Sequence, residues 1–63
     1  MSNFLERLTI EYDELTDRIV KLGGFLDGDK TKTIDKDQLT LLNIQLKAMI
    51  TYQTCLDARI ERL

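Results

Sequence analysis

Apolar residues recur at Leu5, Leu8, Tyr12, Leu15, Ile19, Leu22 and Leu26, with gaps that alternate 3 and 4. That spacing is an a/d seam sustained over three heptads, so it predicts an amphipathic helix over about residues 4–23. Asn3 and Glu6 stand at capping-box spacing at its start. Charges fill the positions between: Glu6, Arg7, Glu11, Asp13, Glu14, Asp17, Arg18 and Lys21. Glu14 with Arg18, and Asp17 with Lys21, are favourable i,i+4 pairs on a solvated face. Gly23-Gly24 comes late in the pattern. Each glycine costs up to about 1 kcal/mol in a helix interior. The first helix is therefore expected to fray there, with a weak continuation to Leu26 as the alternative.

A second pattern opens at Ile34. Asp35 and Gln38 form a D-x-x-Q capping box, and Ile34 with Leu39 a hydrophobic staple. With no proline to stop it, a helix is expected over about residues 36–62. Its seam is Leu39, Leu42, Leu46, Met49, Gln53, Leu56, Ile60 and Leu63. A second stripe runs beside it through Leu41, Gln45, Ala48, Tyr52, Cys55 and Arg59, and Ile44 and Ile50 widen the apolar surface.

The two helices differ in charge. Between Gln38 and Leu56 there is one charged residue, Lys47, against eight between Glu6 and Lys21. A helix apolar around most of its circumference is covered on more than one side. One short partner cannot do that. The pattern thus predicts an all-α fold: an antiparallel helical hairpin that homodimerises into a four-helix bundle. The expected seam pairs are Leu22 with Leu39, Ile19 with Leu42, Leu15 with Leu46, Tyr12 with Met49, and Leu8 with Gln53. The expected oligomer interface is Leu42, Ile44, Gln45, Ala48, Met49, Tyr52, Gln53 and Leu56. Gln53, polar within the seam, is expected to set register or oligomer state; the other possibility is that it lines a ligand site.

Composition narrows the function. A chain of 63 residues makes one small domain that buries only about 60% of its unfolded surface. With one cysteine and no histidine, no intrachain disulfide is available and any metal would need oxygen ligands. A partner chain is the remaining support, as dimer or higher oligomer. The net charge of −2 argues against duplex nucleic acid as a partner. No apolar run approaches the roughly 20 residues of a membrane span. "MSNFLERL" has neither the basic nor the apolar region of a signal peptide. A cytoplasmic location is expected, with Cys55 a reduced, buried helix residue. No nucleophile pattern or Gly-rich phosphate motif is present, so no enzyme activity and no cofactor are expected.

Between the helices, "DGDKTKTIDKDQ" (Asp27 to Gln38) places oxygen-bearing residues at EF-hand positions 1, 3, 5, 7 and 9, and Ile34 at position 8. Lys32 occupies the turn position that needs glycine, and Gln38 the position that needs a bidentate carboxylate. Turn chemistry is the simpler account, with Gly28 free to take positive φ. No metal ligand is assigned.

The pattern "FLERL..EY.EL..RI.KL..FL" followed by "TI....LTLLNIQLKAM..Y...L..RIERL" resembles short phage-encoded helical-hairpin proteins along nearly the whole chain. More distantly, the architecture is similar to phage hairpin proteins that oligomerise and sequester cyclic-nucleotide signals of bacterial immunity, the anti-CBASS and anti-Thoeris sponges. That resemblance implies a non-enzymatic accessory protein acting by binding in the host cytoplasm. It would sequester a nucleotide immune signal or block a host defence protein. Phosphates call for arginine or lysine, and bases for an aromatic plane. The candidate ligand residues are Arg7, Tyr12, Tyr52, Arg59 and Arg62, with a second group of Lys21, Phe25, Lys30, Lys32 and Lys36 around Gly23-Gly24. A structural or regulatory oligomerisation module is the alternative, and a calcium-binding loop protein a lesser one.

Overall fold

A computed structural model describes residues 3–63 as two long α-helices, α1 (Asn3–Asp27) and α2 (Lys36–Glu61), joined by a 3₁₀ segment (Asp29–Thr33). The helices pack antiparallel on each other, and no strand occurs among the described residues. Both seams lie at the contact except for their terminal members, Leu5 and Leu63, which are exposed. Leu8, Leu15 and Leu56 form its buried centre, and Tyr12, Ile19, Met49 and Ile60 pack around them.

The glycine pair does not end α1. The helix runs through Gly23 and Gly24 to Asp27, and Leu22 and Leu26 stay half-buried along its seam. Burial of those leucines offsets the glycine penalty, because tertiary contact outweighs propensity. The amide of Gly28 then donates to the Phe25 carbonyl at 3.1 Å, which tightens the last turn. Gly28 is extended, with φ −95° and ψ 173°, and no described residue has positive φ. The left-handed turn expected at Gly28 is therefore replaced by a short helix. In that segment the Thr31 hydroxyl donates to the Gly28 carbonyl at 3.0 Å, and the Thr33 hydroxyl to that of Lys30 at 2.7 Å.

The start of α2 follows its signature. Asp35 is the N-cap, and its carboxylate accepts from the amides of Asp37 at 3.0 Å and Gln38 at 3.4 Å. The Leu39 amide closes the first turn on the Asp35 carbonyl at 2.9 Å.

The register differs from the expected one. Gln53 was expected opposite Leu8; instead its side-chain amide donates to the Thr16 hydroxyl at 2.6 Å. That is a displacement of eight residues, about two turns, along α1. The midpoint of the observed pair falls between Ile34 and Asp35. The contact of Arg59 with Phe4 has its midpoint at residues 31–32, so the reversal is centred on the end of the 3₁₀ segment and the residues just after it. At about 2 Å per residue, those five residues carry the chain roughly 10 Å further before it turns. A helix of 25 residues adds about 37 Å. The molecule is 48 Å long and only 14 × 13 Å in cross-section.

Candidate functional site

The residues singled out by chemistry fall into two groups at opposite ends of the hairpin. At the open end, the guanidinium of Arg59 lies over the Phe4 ring, 5.8 Å from its centroid. Arg7 is exposed. Arg62 turns back on its own helix, with Nη1 donating to the Ala58 carbonyl at 3.1 Å. Tyr12 is half-buried against the leucine core, which takes its ring out of the role of a ligand platform. Tyr52 is exposed on the outer side of α2, seven residues and thus two turns from Arg59. The five candidates do not converge on one pocket. Phe4 was missed by sequence reasoning. The available signal was its place three turns before Leu15 on one face of the helix, which in an antiparallel hairpin sets it beside the end of α2.

The eight expected interface residues also divide. Leu42, Met49, Gln53 and Leu56 face α1 within the chain, and Leu56 is 0% exposed there. Leu56 therefore belongs to the hairpin's own core and cannot contribute to an outer interface. Ile44, Gln45, Ala48 and Tyr52 face outward. Gln53 is satisfied inside the seam, because Thr16 accepts its proton and in turn donates to the Tyr12 carbonyl at 2.9 Å. Cys55, expected to be buried, is free and exposed. It lies on the second stripe of α2, which turns away from α1.

At the turn end, an open depression of about 560 Å³ is lined by Lys21, Gly24, Phe25, Gly28, Asp29 and Lys30. The elements explain the set. Lys21 and Gly24 stand one turn apart on one face of α1, and Gly28 follows just past its end. The 3₁₀ segment continuing that axis brings Asp29 and Lys30 alongside. A Cβ at Gly24 would meet no atom within 4 Å beyond its chain neighbours and the backbone of its own helix turn, and the same holds at Gly23. Packing within the chain therefore gives no reason for either glycine, although each costs stability in a helix. Lys21 contacts Asp17 at 2.9 Å and Lys32 contacts Asp29 at 3.8 Å. Both pairs are well exposed and weak, so Lys21 is readily released to another anion. The depression has the size of a small-molecule site. It offers two ammonium groups, the Asp29 carboxylate, which faces Lys32, an aromatic side chain and bare backbone.

The calcium geometry is absent from this connection. The Thr31 and Thr33 hydroxyls bond to carbonyls of their own segment, Asp29 faces Lys32, and Asp35 caps α2. Among the described residues no three His, Cys, Asp or Glu side chains are grouped to hold a metal ion. No described helix is long and apolar enough to cross a membrane.

Comparison with known families gives one decisive match: the family model named Sequestin covers residues 2–62. The chain belongs to the Sequestin family. No curated protein and no solved structure gives a match. The Sequestin name is consistent with a binding or sequestering role. The open, chargeable depression is the feature of this Sequestin hairpin best suited to such a role.

Proposed function

We propose that the chain is a non-enzymatic binding protein that sequesters a small anionic ligand of nucleotide type in the Gly24 depression. The observation that carries this reading is the helix-interior Gly24, whose missing side chain leaves open space beside Lys21, Phe25 and Lys30. Glycine lets a ligand approach the backbone closely. The lysines supply charge for phosphate, and Phe25 an apolar plane for a base. We place this activity in phage counter-defence, in the host cytoplasm, where the ligand is an immune signal, and we take the working unit to be a homo-oligomer.

The test is a thermal-shift screen against cyclic dinucleotides and ADP-ribose derivatives, followed by calorimetry. A ligand at 100 times its Kd stabilises the fold by about 2.7 kcal/mol. For so small a domain that raises Tm by roughly 10 °C or more. Lys30→Ala should weaken binding. Gly24→Leu should abolish it while leaving the helix folded, since leucine is the better helix former and the site has room. No shift across the panel sinks the nucleotide reading and leaves the second one, a host protein blocked by surface contact.

A further inference from the structure

We infer that two copies of the chain pair antiparallel through the outer face of α2, with a two-fold axis at Ala48. The inference develops the homo-oligomer part of the reading above and is independent of the ligand. Its basis is a symmetry in the spacing of the exposed stripe. Asp37, Leu41 and Ile44 precede Ala48 by 11, 7 and 4 residues; Tyr52, Cys55 and Arg59 follow it by 4, 7 and 11. Every step is 3 or 4, so all seven lie along one face of the helix. All seven are exposed. Leu41, Ile44 and Tyr52 retain 57%, 58% and 45% of their accessible surface.

Antiparallel pairing about Ala48 matches unlike with unlike. Asp37 meets the second copy's Arg59, Leu41 meets its Cys55, and Ile44 meets its Tyr52. The small Ala48 side chain at the axis permits an interaxial distance near the low end of about 8–10 Å. Parallel in-register pairing would instead set Asp37 against Asp37 and Arg59 against Arg59, which is repulsive. Neither Asp37 nor Arg59 has an ion-pair partner among the described residues of its own chain. Arg59 offers only the face of its guanidinium to Phe4, so its N–H edges stay available to a carboxylate. Lys47 lies about 100° from the stripe and remains in water.

The exposed area agrees with one missing partner. The chain exposes 5097 Å². A compact monomer of 7.3 kDa would expose about 4,200 Å². The excess, about 900 Å², is close to the roughly 800 Å² that each partner contributes to a standard interface.

Light scattering, cross-linking and charge reversal test the arrangement. Scattering at micromolar concentration should return twice the chain mass. Under mild oxidation, Leu41→Cys should give a covalent dimer through the native Cys55. Leu41→Cys with Cys55→Ser, and the unaltered chain, should not. Asp37→Arg and Arg59→Asp should each raise the dimer dissociation constant about threefold to thirtyfold, and the combined reversal should restore it. These residues are exposed, so circular dichroism should show unchanged helix content. A monomer overturns the two-copy reading itself. A dimer in which Cys55 cross-links to Cys55 in the unaltered chain, or whose dissociation constant ignores both reversals, overturns the antiparallel geometry alone.

Discussion

Gln53 illustrates how a polar residue is accommodated in an apolar seam. Its amide spends a proton on Thr16, and Thr16 passes its own to the Tyr12 carbonyl. The pair is partly buried, so leaving one member alone is costly. Thr16→Val should destabilise the hairpin by about 1–3 kcal/mol, because the Gln53 amide loses its acceptor. Thr16→Val combined with Gln53→Leu should be near neutral, because two apolar groups replace a satisfied pair. Urea denaturation of the two variants measures this; equal losses in the single and double variants would remove the pair from any role in register.

At the scale of elements, the reversal of direction depends on two short pieces. The 3₁₀ segment extends the line of α1, and Asp35 then starts α2 abruptly. The cap carries two of the amides that a helix start leaves unbonded. Asp35→Ala should cost about 0.5–2 kcal/mol, and Asp35→Asn much less, since asparagine caps equally well. Thermal melts of the two variants separate capping from charge: equal losses would assign the effect to the lost carboxylate charge instead. The contrast between α1 and α2 also belongs to this scale. The polar positions of α1 are spread over its outer face, whereas α2 keeps an apolar stripe on the side that α1 does not cover.

For the molecule as a whole, stability and assembly are linked. Among the described residues three buried leucines make a small core, and domains of this size usually need added support. A second copy supplies it by mass action. The melting temperature should therefore rise with protein concentration over a tenfold or larger range. Ala48→Glu, which sets two like charges together at the axis, should melt lower and independently of concentration. Calorimetry across concentrations checks both. A melting temperature that never changes with concentration would mean that the hairpin holds itself together.

The seams, the cap at Asp35 and the uncovered side of α2 were legible in the linear order of residues, because helical periodicity and capping act over three or four positions. Membership of both seams, apart from the exposed terminal members Leu5 and Leu63, could be read from the alternation of 3 and 4 alone. What the tertiary structure decided was longer in range. Whether Asp29–Thr33 would coil, and whether α1 would survive Gly23-Gly24, depended on how well Leu22 and Leu26 were buried against the rest of the chain. Those two outcomes moved the reversal toward the end of the 3₁₀ segment and set Gln53 against Thr16 instead of Leu8. The Gly24 depression includes Asp29 and Lys30 because the 3₁₀ segment follows directly on the end of α1. Local patterns state which face of a helix is apolar; where two helices meet along their length is settled by the geometry of the connection between them.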